Sequence, residues 1–81
     1  MTEDDIRRTF LDLVTRVAPD LATDDIGGDD HLQDDLELDS MDVLNLVAAI
    51  HERLGVDVPE ADYMEIATPN RAVTYLSGRL D

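Results

Sequence analysis

Leu36-Glu37-Leu38-Asp39-Ser40-Met41-Asp42-Val43-Leu44-Asn45-Leu46-Val47-Ala48-Ala49-Ile50-His51-Glu52-Arg53-Leu54-Gly55 is the stretch in which the polarity pattern of the chain changes. Before Asp39 no period is sustained, whereas from Met41 to Leu54 the apolar residues recur at helical spacing. At about 100° per residue, Val43, Leu46, Val47, Ile50 and Leu54 share one arc, the expected core face. Met41, Leu44 and Ala48 fall on a second arc, flanked by Asp42, Asn45 and Glu52. One buried face does not need that surplus, and an exposed apolar strip rimmed by acids predicts a docking surface. Asp39 and Asp42 are spaced as an N-cap and the third helical residue, and Gly55 takes the C-terminal position that glycine favours. Ser40 therefore puts one hydroxyl at the seam of loop and helix. A phosphate esterified there would lie close to free N–H groups and to the positive end of the helix dipole.

Upstream, Ile6, Phe10, Leu13 and Val17 step by helical intervals and predict a first helix from about Thr2 to Ala18. Thr2 and Asp5 form a capping pair; Glu3, Asp4 and Asp5 suit the positive end, Arg16 suits the negative end, and Pro19 stops the helix. Residues 19–39 hold no Lys or Arg and many Asp, yet Leu21, Ile26, Leu32, Leu36 and Leu38 are scattered among them. Five aliphatic anchors predict a loop pinned onto the bundle rather than a solvated linker. Downstream, Val56-Asp57-Val58-Pro59 reads as an extended link and Glu60 to Ile66 as two turns. Thr68-Pro69 is an N-cap with Pro at the first helical position, opening a last helix with Ala72, Val73, Leu76 and Leu80 inward and Tyr75 alongside. Gly78 is expected to weaken its final turn. The expected architecture is all-α: one domain over residues 1–81, a small four-helix bundle with a long first loop and a short third helix.

Eighty-one residues with Phe10, Tyr63 and Tyr75 as the aromatics make one small, mainly aliphatic core. Twenty Asp plus Glu against six Lys plus Arg give a net charge of −14, which disfavours nucleic acid and anionic membranes and points to basic protein patches as partners. The same charge predicts a monomer. Without Cys there is no disulfide framework, thiolate nucleophile or Cys-type zinc site. The acidic start and the lack of a long apolar run lead us to expect a cytoplasmic protein without signal peptide or membrane span.

Catalytic and metal patterns fail on spacing. His51-Glu52-Arg53-Leu54-Gly55 lacks the second His of a zinc-protease motif, and His31, alone in the loop, is expected to bond water. From Asp29 the calcium-loop pattern breaks at His31, Gln33 and Asp34. No specific metal site is expected, although loose carboxylates could gain from magnesium. Ser40 as a hydrolase nucleophile lacks the strained glycine turn and a preceding strand. No catalytic residue is expected.

From about Leu32 to Ile66 the sequence resembles the acyl carrier protein family, the phosphopantetheine-bearing carriers of fatty-acid and polyketide synthesis. Asp35-Leu36-x-x-Asp39-Ser40-Met41-Asp42 is similar to that family's D-L-G-x-D-S-L-D signature, and the Gly55-to-Glu60 link, the Ile66-Ala67-Thr68 turn and the last helix fall at its spacing. The resemblance implies that Ser40 accepts 4′-phosphopantetheine from coenzyme A through a phosphopantetheinyl transferase. The arm's thiol then carries acyl groups as thioesters, in keeping with a chain that has no Cys. It implies too that Asp39, Met41, Asp42, Leu44 and Ala48 meet basic, partly apolar patches on acyl-loading and acyl-processing enzymes, and that Ile50, Leu54, Val58, Ile66, Ala72 and Tyr75 line the acyl-chain interior. Glu37 stands where the family often has Gly, and Asn45, Ala48 and His51 make the recognition face less acidic and flatter, as for a carrier in a specialised pathway. Two alternatives stay open: an aminoacyl carrier of the D-alanyl kind, and an unmodified acidic adaptor for basic proteins.

Overall fold

The structure, a computed structural model, describes residues 1–80. Helix α1 (Glu3–Val17) is opened by Thr2, whose hydroxyl accepts the Asp5 N–H at 3.1 Å. Helix α2 (Ser40–Leu54) is opened by Asp39 and closed by Gly55 at φ 69°, a left-handed conformation that costs glycine nothing. Helix α3 (Pro69–Leu80) starts where the Thr68 hydroxyl accepts the N–H of Arg71 at 3.2 Å, and it continues through Gly78 to Leu80. Two 3-10 helices complete the described residues, Thr23–Asp25 in the first loop and Glu60–Ile66 before α3, and no strand is present among them. The fold is the all-helical bundle the sequence predicts, its short third helix wound as 3-10 rather than α.

Helix α1 is the centre of the packing and touches both α2 and α3. Its Phe10, Leu13 and Val14 are fully buried against Leu46 and Ile50 of α2 and Ala72 and Leu76 of α3. Leu46 and Ile50 belong to the core arc read from the sequence. Val43 is also buried, while Val47 and Leu54 are half-buried.

The first loop is held by both apolar anchors and hydrogen bonds. Ile26, Leu32 and Leu38 are buried and Leu21 and Leu36 half-buried, as anchors should be. The Leu32 N–H donates to the Ala67 carbonyl at 2.9 Å, the Asn70 N–H to the Gly28 carbonyl at 3.0 Å, and the Asn70 amide to Asp29 at 2.9 Å. Gly28 lies so close to Asn70 that a Cβ would stand 2.6 Å from its Oδ1. Its acidic side chains gather no group of three metal ligands among the described residues.

His31 is held by the backbone around it. Its Nδ1 accepts the backbone N–H of Gln33 at 3.3 Å and of Asp34 at 3.2 Å. The Asp35 carboxylate accepts the His31 N–H at 2.8 Å, so the turn over residues 31–35 is tied from both ends.

The Glu60–Ile66 helix leans on α3 rather than α2. The Tyr75 hydroxyl donates to Asp62 at 2.8 Å, Arg79 pairs with the same carboxylate at 3.2 Å and lies 4.7 Å over the Tyr75 ring, and Arg71 donates to the Met64 carbonyl. Burial, with the hydrogen bond to Asp62, pushes the Tyr75 phenol above its ordinary value. With one side of this helix fixed to α3, its other side is left facing the start of α2.

Candidate functional site

Of the N–H groups that the first turn of α2 cannot satisfy internally, two are taken by side chains. Asp39 Oδ1 accepts the N–H of Asp42 at 2.8 Å, and Asp42 Oδ2 accepts the N–H of Asp39 at 3.2 Å. Those of Ser40 and Met41 are left for solvent or a ligand. Ser40 is the first helical residue and is exposed, so its hydroxyl stands beside two open donors and the positive end of a fifteen-residue helix. This arrangement fits a phosphate ester.

On the solvent side of Ser40, Met41 is 62% and Leu44 48% exposed, with Ala48 exposed on the same strip and Asp39 at its end. On the other side a cavity of about 370 Å³ opens between the start of α2 and the Glu60–Ile66 helix, with Ser40 among its lining residues. Its apolar wall comes from Leu32, Val43, Leu44, Ile66 and Ala67, and its polar wall from His31, Gln33, Glu60 and Tyr63. Leu44 lines this cavity and the strip, joining the two.

Asp39, Ser40, Met41, Leu44 and Ala48 are thus exposed at the start of α2 and along it, while Asp42 is half-buried in the cap with Asp39. Of the six residues tied to an acyl-chain interior, Ile50, Val58, Ile66 and Ala72 belong to the core cluster and Leu54 and Tyr75 pack against it. Ile66 lines the cavity beside Ser40, and Val58 lines an open groove of about 640 Å³ farther along α2. Ile50 and Ala72 are sealed in the core, Leu54 is half-buried, and half-buried Tyr75 spends its hydroxyl on Asp62. Sequence reasoning weighed His31 only as a lone loop residue and did not place it, Gln33, Glu60 or Tyr63 beside Ser40; no shared period joins them, and the bonded turn over residues 31–35 and the packing of the 3-10 helix on α3 bring them together.

Comparison with known proteins matches residues 8–76 to the family described as "Phosphopantetheine attachment site". The chain belongs to the acyl carrier protein family. The carrier is 38% identical over 66 residues to an acyl carrier protein of Streptomyces coelicolor, covering 82% of this chain and 72% of that one. It is 31% identical over 58 residues to an acyl carrier protein of Beutenbergia cavernae, covering 72% and 71%. A mitochondrial acyl carrier protein of Saccharomyces cerevisiae is 25% identical over 84 residues, covering 100% and 67%. The prosthetic group of this carrier is 4′-phosphopantetheine. No helix among the described residues is long and apolar enough to cross a membrane.

Proposed function

We propose that Ser40 is the attachment residue and that the chain acts as a cytoplasmic carrier, handing acyl groups between enzymes of a fatty-acid, polyketide or specialised acyl pathway. The observation that carries this is the exposed Ser40 hydroxyl at the first position of α2, between two open N–H donors, an apolar strip and a cavity. When attached, the group supplies a thiol on a flexible arm, which holds acyl cargo as a thioester.

The chain's own part is nucleophilic and electrostatic. With a phosphopantetheinyl transferase providing the base, Ser40 Oγ attacks the phosphorus next to pantetheine in coenzyme A. The new P–O bond forms as the bond to the adenosine bisphosphate breaks, and the serine proton leaves to the transferase. Asp39 and Asp42, bonded to each other's N–H groups, keep the backbone around Ser40 fixed through that exchange. The N–H groups of Ser40 and Met41, with the helix dipole, favour the resulting phosphodiester anion. Met41, Leu44 and Ala48 offer partners an apolar contact, and Asp39 and Asp42 an acidic rim that suits basic docking patches. The weaker acidity of this face at Asn45 and His51 favours a dedicated pathway over a general one.

Intact mass measurement after incubation with coenzyme A and a broad-range transferase tests the proposal. One phosphopantetheine should be gained by the native chain and none by Ser40→Ala. Folded protein that gains nothing from several transferases would leave the unmodified acidic adaptor as the function.

A further inference from the structure

With Ser40 as the attachment point, we infer that His31 and Tyr63 are donors that hold a carbonyl oxygen of the Ser40-attached group inside the neighbouring cavity. His31 Nδ1 accepts two backbone N–H groups, from Gln33 and Asp34, and an accepting nitrogen must keep its lone pair. The proton of the neutral ring is therefore on Nε2. Asp34 Oδ2 lies 3.8 Å from Nδ1, too far to draw the proton back. The turn thus presents a fixed Nε2–H donor on the opposite ring edge, in a side chain only 29% exposed that forms part of the cavity wall.

Tyr63 lines the same cavity, half-buried, and its hydroxyl has no partner among the described residues, unlike that of Tyr75. Two donors in a wall shared with the apolar side chains of Leu32, Val43 and Ile66 suit a hydrogen-bond acceptor carried on a partly apolar group. Glu60 on the same wall repels a carboxylate, so the acceptor that fits is a neutral carbonyl. Two sources supply one within reach of Ser40: an amide of the pantetheine arm, or an oxo group on the acyl cargo.

Histidine-labelled protein is prepared in four forms whose masses are verified: unmodified, carrying the arm alone, carrying butyryl, and carrying acetoacetyl. Proton–nitrogen correlation in the unmodified form should show His31 Nε2 protonated and Nδ1 bare; the reverse tautomer would overturn the inference. A moved Nε2–H signal with the arm alone assigns the arm amide, and a signal moved by acetoacetyl but not by butyryl assigns the cargo. If no form moves it, the inference falls. Tyr63→Phe keeps the ring and should lower the ratio of held to released carbonyl roughly two- to ten-fold, the worth of one neutral hydrogen bond; an unchanged ratio removes Tyr63 from the role. A chain that never gains the arm in mass overturns the attachment at Ser40, and this inference with it. A loaded chain with an unmoved His31 overturns the inference alone.

Discussion

At the start of α1 the Thr2 hydroxyl takes the N–H of Asp5 while Asp5 takes that of Thr2; at the start of α2 Asp39 and Asp42 repeat the exchange. Both helix ends thus leave the same two donors open. They differ in what stands at the first helical position, Glu3 in α1 and Ser40 in α2, and in what precedes the cap. Met1 is 64% exposed, whereas Leu38 is 4% exposed, pinned in the core with its N–H on the Leu32 carbonyl at 3.0 Å. Glu3 brings its own carboxylate to the positive helix end; Ser40 brings a neutral hydroxyl to which an anion can be added. A capped helix start supplies donors, but a modification site also needs a nucleophile beside them and a backbone that holds it still.

The anchored approach to α2 is the part of this contrast with the largest energetic consequence. Leu38→Ala should destabilise the fold by about 2–5 kcal/mol, the usual cost of emptying a sealed leucine site. Urea unfolding measures it, and a loss under about 1 kcal/mol would mean that α2 starts as loosely as α1. Next come the caps. Thr2→Ala and Asp39→Ala should each cost about 1 kcal/mol in stability. Their effects on phosphopantetheine transfer should part company: Asp39→Ala slows it, because the backbone under Ser40 loosens, and Thr2→Ala leaves it alone. Equal transfer rates would break the distinction between the two helix starts.

Glu37 gives a smaller effect and shows how far the sequence could be read. It holds φ 63°, which glycine adopts freely and a side chain resists. Its position, where the family often has Gly, was legible in the sequence, but the conformation itself was not, because the turn over residues 31–35 and the burial of Leu36 and Leu38 impose it from a distance. Glu37→Gly should raise stability by up to about 1 kcal/mol, the relief of the left-handed strain less the extra freedom of glycine in the unfolded chain. A thermal midpoint that falls would show that Glu37 is not strained. Helix ends, caps and the core arc are local or periodic, so Thr2, Asp39, Gly55, Thr68 and the run from Val43 to Ile50 could be read directly. The cavity wall is neither. It joins residues 31–33, 40–44 and 60–67 through the Leu32–Ala67 hydrogen bond and the Asp62–Tyr75–Arg79 cluster, and no spacing in the sequence encodes that meeting.

The smallest effect belongs to the α1 start and comes with pH. Hydrogen bonds from the Thr2 side chain and then the Thr2 backbone hold the Asp5 carboxyl below its ordinary 3.8. A carboxyl depressed in the folded state binds its proton more readily in the unfolded chain. Its contribution to stability is therefore complete above about pH 4 and fades as pH falls through the lower folded value. Carboxyl titration followed by carbon NMR should show Asp5 moving back toward 3.8 in Thr2→Ala, with the acid limb of the thermal stability curve flattened to match. Should Asp5 titrate identically in both chains, Thr2 is not what depresses it, and the capping exchange at α1 is looser in solution than its geometry.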